Sequence, residues 1–374
     1  MKSMVPSDLK ANNRRVVFET LYREGSLSRT ELSRQTHISL PTVFKIVEEF
    51  AQKGIVIPTG ELHAALGRKP LHLRFNPDCS YVAGVELEGS RMRIGLFNLA
   101  GELRANMSQP LPTDLLGGMG EIISSSVEQL TARIGTPLGR IIALGIGVPG
   151  VVDHRRAMVQ FAPLIGITEP CSLAEMLGHI ERRTGLKALL ENDANAAAYG
   201  ELIVRHMQRD ASMLYMELGT GLGGGLILDG KLRRGARNLV GELGYWQGGT
   251  SRRVTVAQLG ELESYVNLPA LETRFGYAPG GTASGEMIHY LMEQLLTPVA
   301  NIVNLLDMDM VVLGGIVFED IAPAFVPEFA KLLSQMCLSA VDVQGARAIL
   351  PGSMGAAMLA FSARLDAWLS ADGQ

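Results

Sequence analysis

One device is written twice in this chain: a strand, a glycine-bearing turn and a second strand, repeated at an interval of about 130 residues. Val82 to Leu87 and Met92 to Phe97 flank the first turn, and Ser212 to Glu217 and Gly225 to Leu228 flank the second, Leu218-Gly219-Thr220-Gly221-Leu222-Gly223-Gly224. Apolar runs of this length bounded by turn residues read as buried strands. Two copies predict two α/β lobes with a cleft between them. The text between the copies agrees, with helical spacing from Gly118 to Arg133 and buried strands over 141–147 and 186–190. After the second copy come a helix from Met287 to Leu306, a strand and glycine turn from Met310 to Gly315, and the small-residue run Pro351-Gly352-Ser353-Met354-Gly355-Ala356-Ala357.

The N-terminal segment has a different grammar. Val16, Val17, Thr20 and Leu21 fall at helical spacing before Gly25, where a helix stops. Ser28-Arg29-Thr30-Glu31 is a capping box, so a second helix starts there and runs to about Gln35. Thr36-His37-Ile38-Ser39 makes a turn, Ser39 caps a third helix, and Pro41 occupies its first turn, where a missing amide hydrogen costs nothing. Val43, Ile46, Val47 and Phe50 form an i, i+3, i+4, i+7 core stripe. Ser39, Thr42, Phe44 and Lys45 then lie near the helix N-terminus, the end that approaches base edges in a helix-turn-helix, with Ser28 and Arg29 beside them. Strands over 55–57 and 71–73 outline a β-wing whose tip, Gly67-Arg68-Lys69-Pro70, suits phosphate or minor-groove contact. The same elements also suit a module that packs against protein or dimerises. The order of cap, turn, stripe and basic tip favours DNA, and charge agrees with it: residues 1–75 hold 12 Lys/Arg against 7 Asp/Glu, and the remainder 22 against 31.

With 47% hydrophobic residues over 374, the chain can fill several cores without staples. Three widely spaced cysteines, Cys79, Cys171 and Cys337, argue against a disulfide framework, and no run approaches a membrane span or a secretory leader. A cytoplasmic protein is expected. Its domains are expected over 1–77 (head), 78–195 (first lobe) and 196–374 (second lobe), with the C-terminal helix packing back on the first lobe.

Over nearly its full length the chain resembles the ROK family of repressors, open reading frames and sugar kinases. The resemblance rests on Gly145-Ile146-Gly147-Val148-Pro149-Gly150-Val151-Val152-Asp153, Glu191-Asn192-Asp193-Ala194-Asn195, Leu218 to Gly225, Gly241-Glu242-Leu243-Gly244 and Val311-Val312-Leu313-Gly314-Gly315. It implies a winged helix-turn-helix followed by a two-lobed actin-like, ribonuclease-H-like body. With its head, the chain is similar to the repressor branch rather than the free-standing kinases. The implied function is a sugar-responsive transcriptional regulator on operator DNA, as a homodimer or dimer of dimers. The alternative is an ATP-dependent sugar kinase with an appended head. By resemblance Asp193 matches the kinase base, and Asn192, Glu242 and Glu263 match sugar-hydroxyl ligands. Asn192 and Asp193 equally suit the cap of the Ala-rich helix from Ala194 to Leu202, and the two roles are compatible.

Two departures from the family pattern carry expectations. Family kinases show Asp-x-Gly-Gly-Thr in the first loop, where this chain reads Glu86-Leu87-Glu88-Gly89-Ser90. Carboxylates beside a phosphate cradle repel a triphosphate, so ATP is not expected as a cofactor, although magnesium could bridge Glu86 or Glu88 to phosphate. Family members also hold a loop through zinc on one His and three Cys, and this chain places Tyr245, Val254, Val256 and Glu261 at those positions. No zinc is expected, and Tyr245 stands in as a sugar-hydroxyl donor.

Overall fold

The computed structural model describes residues 6–59, 71–112, 115–162, 165–208, 210–248 and 259–371. The head comprises α1 (Pro6–Glu24), β1 (Ser26–Ser28), α2 (Arg29–Thr36), α3 (Leu40–Gln52), β2 (Val56–Pro58) and β3 (His72–Phe75). The capping box forms as the sequence requires: the Ser28 hydroxyl accepts from the Glu31 amide, and the Glu31 carboxylate accepts from the Ser28 amide. Val43, Ile46, Val47 and Phe50 are all buried, and from α1 it is Phe18 with Val17 and Leu21 that joins them. The wing sheet has three strands in the order β1-β3-β2, because Ser26–Ser28 pairs antiparallel with Arg74–His72. A three-residue strand between two helices has too short a pattern to be read from sequence. The wing tip, with Arg68 and Lys69, lies outside the described residues.

The first lobe contains β4 (Tyr81–Glu88), β5 (Arg91–Asn98), β6 (Leu103–Pro110), α4 (Leu115–Arg133), β7 (Ile141–Val148), β8 (Val151–Asp153), β9 (Met158–Phe161), β10 (Cys171–Ser172), α5 (Ala174–Thr184) and β11 (Ala188–Asn192). After α6 (Asp193–Val204) the second contains β12 (Met213–Leu218), β13 (Leu222–Leu228), β14 (Lys231–Arg233), α7 (Glu261–Val266), α8 (Leu268–Phe275), α9 (Gly285–Leu306), β15 (Met310–Gly314), α10 (Ile316–Ser334) and β16 (Asp342–Gly345). The repeat is visible in the sheets, which run β11-β7-β4-β5-β6 and β14-β13-β12-β15-β16. In each, the first three strands form an antiparallel meander and the last two join parallel to its first strand.

The C-terminal helix α11 (Pro351–Ser370) closes the molecule. Its first half is buried against β4, β7 and α6, and the approach is so close that a Cβ at Gly84 would overlap the Ser353 carbonyl and one at Gly145 the Ala356 carbonyl. Its second half leaves the body and enters the head core, where Phe18 meets Phe361 and Trp368 edge-on at 6.3 and 5.7 Å. Arg15 pairs with Asp366 at 3.1 Å, and Lys53 donates to the carbonyls of Leu369 and Ala371 at the helix C-terminus.

Candidate functional site

Both glycine turns open onto one cleft of about 550 Å³, a size typical of small-molecule sites. Asn192 and Asp193 reach it from the junction of β11 and α6. Asn192 is the cap of α6, its amide oxygen accepting from the Asn195 amide at 2.8 Å, while its amide nitrogen donates to the Gly150 carbonyl at 2.9 Å and to Asp193 at 3.1 Å. That carbonyl comes within reach because Gly150 sits at φ +90°, where a Cβ would collide with the Phe161 carbonyl. The cap and the cleft position therefore coexist. Opposite, Glu242 and Tyr245 flank a short turn, and Glu263 on α7 accepts from the Leu222 amide at 3.0 Å. The carboxylate of Glu242 has no hydrogen-bond partner among the described residues. Asn192, Asp193, Glu242, Tyr245 and Glu263 thus line the same cavity, together with Gly89 and Ser90 of the first turn.

Glu86 lies on the strand that the sequence predicts and lines the cleft, but its side chain is already engaged. It belongs to β4, is buried, and its carboxylate accepts from the Ser353 amide at 2.7 Å and from the Gly352 amide in the first turn of α11, with Arg93 at 3.6 Å. A helix N-terminus attracts a carboxylate, so Glu86 is engaged as the anchor of α11. Glu88 ends the same strand, its backbone paired with Arg91, and its side chain lies outside what the structure describes.

Sequence reasoning missed Glu217, whose signal was an acidic residue inside the otherwise apolar strand Met213–Leu218. It lies on the strand that leads into the second turn and lines the cleft. Burial, then the negative charges of Asp193, Glu86 and Glu319, push its carboxyl up to about 8, with Arg93 opposing. Burial likewise raises Asp193 to about 6, and burial with Asp193 and Glu263 as neighbours raises Glu242 to about 7. Burial also raises Glu86, Glu263 and the Tyr245 hydroxyl. Also missed was Glu191, buried and paired with Arg234 at 2.6 Å, which ties β11 to the segment after β14. Among the described residues no group of three metal-ligating side chains converges; Val254 and Val256 lie outside them, and Tyr245 and Glu261 are not thiolates.

In the head, Phe44 and Lys45 are exposed on α3, and Thr42 is half-buried. Ser39 stands at the cap position, but its hydroxyl pairs with that of Thr42 at 2.8 Å instead of with a backbone amide. The Arg29 guanidinium lies 4.4 Å over the Phe44 ring, which brings it to the same face. Ser28, expected at the DNA face, is buried with its hydroxyl held by Glu31 and shapes α2.

Residues 82–362 match the ROK family, and residues 12–57 match the winged helix-turn-helix DNA-binding family. A xylose repressor of Caldicellulosiruptor bescii is 30% identical over 242 residues, 63% of this chain and 59% of the repressor, so the match spans about three fifths of that relative's length. A glucokinase of Streptomyces coelicolor is 36% identical over 162 residues, 43% of this chain and 48% of the kinase. The crystal structure of a ROK family transcriptional regulator, a homolog of the E. coli MLC protein, superposes with TM-score 0.75 at 20% identity, covering 96% of this chain and 98% of the other. That likeness spans head and body together.

Proposed function

The chain belongs to the ROK family, and on that premise we propose that it is a sugar-responsive DNA-binding regulator, a repressor, rather than an enzyme. The observation that carries this reading is α11. Its first turn lines the cleft and is held by Glu86, and its last turns are bonded to the head through Arg15, Lys53, Phe18 and Trp368. A ligand that prefers one arrangement of the cleft therefore acts on the head through one continuous helix, and it shifts DNA affinity only by that preference. A sugar bound by Asn192, Asp193, Glu242, Tyr245 and Glu263 is the effector. Two copies place two heads on a pseudo-palindromic operator. The large apolar side chains Leu305, Met336 and Leu338 are exposed on the second lobe, where a second copy would cover them. The protein acts in the cytoplasm, and no helix among the described residues is long and apolar enough to cross a membrane.

Zinc does not fit the donor set around Tyr245, and neither zinc nor ATP has a role in this reading. A gel-shift titration tests the DNA face: Lys45→Ala should weaken operator binding by roughly tenfold. Unchanged affinity would contradict the assigned face. The second reading, a sugar kinase with an appended head, is favoured by the glycine turn Gly219-Thr220-Gly221 and by the raised carboxyl of Asp193, a group suited to accept a hydroxyl proton. A coupled ADP-release assay over hexoses separates the two. Turnover that Asp193→Asn abolishes would establish the kinase.

A further inference from the structure

We propose that the cleft takes an unphosphorylated sugar and rejects sugar phosphates, an inference that rests on the sugar-cleft reading above. Among the described residues, six carboxyl groups line the cavity, from Glu86, Asp193, Glu217, Glu242, Glu263 and Glu319, against two guanidinium groups. Both guanidinium groups are already engaged. Arg93 faces Glu86, and Arg91 donates to the Ser108 hydroxyl at 2.7 Å and the Ser108 carbonyl at 3.3 Å, across β5 and β6.

The bare turn that would otherwise cradle an anion is also partly spent. The Gly219 amide donates to the Gly221 carbonyl at 2.9 Å, and the Leu222 amide donates to Glu263. Two of the amides that could converge on a phosphate therefore point elsewhere. Glu217, on the strand that leads into the turn, also lines the cleft, so an anion there meets a further carboxyl group.

Hydrogen-bond polarity points the same way. Once ionised, a carboxylate only accepts, and Glu242, whose side chain has no hydrogen-bond partner among the described residues, then offers acceptors alone. A sugar hydroxyl can donate to it. A phosphate dianion has no proton to donate and carries about two negative charges. The cleft is thus complementary to the hydroxyls of a neutral sugar and opposed to its phosphate ester, a form of specificity built on repulsion.

Calorimetry on the full chain tests this with matched pairs: glucose and glucose 6-phosphate, N-acetylglucosamine and its 6-phosphate, xylose and xylose 5-phosphate. The expected result is binding by at least one parent sugar, with its ester weaker by roughly 100-fold. An ester that binds as tightly as its parent overturns the proposal. The gap should widen by roughly tenfold from pH 7 to pH 9, because the phosphate is already mostly dianionic and the further charge arises on the protein. The groups concerned are the six carboxyls, the Tyr245 hydroxyl and the two arginines. A gap that closes with rising pH also overturns it. Glu217→Gln at pH 9 should narrow the gap, and an unchanged gap in folded variant protein rules out Glu217 as a source of the repulsion. Heat from none of the compounds refutes the sugar-cleft reading itself, whereas a bound ester with a silent parent refutes only the rejection of phosphate.

Discussion

The two lobes share a sheet order, yet their glycine turns now do different work. In the second lobe the turn after β12 still exposes Gly219 and Gly221 to the cleft, and a Cβ at Gly219 would meet nothing nearer than Ile316 at 3.8 Å. In the first lobe the strand before the turn carries Glu86, which is bound to the N-terminus of α11. There the segment before the turn doubles as a joint to the C-terminal helix. The difference teaches that a duplicated fold can keep its topology while equivalent strands make different internal contacts.

The largest test of that contrast is glycine replacement. Gly84→Ala drives a methyl group into the Ser353 carbonyl and should cost about 3 kcal/mol, whereas Gly219→Ala should stay within about 1 kcal/mol. Thermal unfolding of both variants checks this, and equal midpoints would mean that α11 does not pack where the structure puts it. Next, Glu86→Ala should lower stability by roughly 1 to 2 kcal/mol by stripping two amides of their acceptor, and it should uncouple operator release from sugar in a gel-shift. Retained sugar response in a folded variant would remove α11 from the signalling route.

The acids of the cleft give a smaller effect with a definite sign. Their folded pKa values lie above the unfolded ones, so the folded state binds more protons between the two, and stability falls as pH rises through that window. The melting temperature should decline from pH 5 to pH 8, and Glu217→Gln should raise it at pH 8 by roughly 2 to 4 °C. A melting temperature that climbs over that range contradicts the buried acid cluster. The smallest effect belongs to the far end of the joint: Lys53→Ala should cost roughly 0.5 kcal/mol, since it removes a cation from the carboxyl end of α11. Differential scanning calorimetry can resolve whether the head then melts apart from the body.

Much of this was legible without coordinates. The capping box at Ser28, the stripe from Val43 to Phe50 and the doubled strand-turn-strand device are local patterns, fixed by helix and strand periods, and the structure reproduces them. The convergence of Asn192, Asp193, Glu242, Tyr245 and Glu263 came from resemblance, and their shared cavity is a fact of the fold. What escaped was non-local. Glu86 reads in sequence as a strand end beside a phosphate turn because nothing within its neighbourhood names its partner, which lies 267 residues away. Ser28 reads as a groove contact because a pattern states which hydroxyl caps a helix without stating which way the helix is turned.

The sequence by itself determined the longer elements, the duplication and the charge of each part, since these follow from the order of apolar, polar and glycine residues along a few turns of chain. Only the tertiary structure decided which carboxyls share a cleft, which of them are raised by burial, and that one helix spans from that cleft to the head. Those outcomes depend on distances between residues far apart in the chain, and on the water that packing removes from between them.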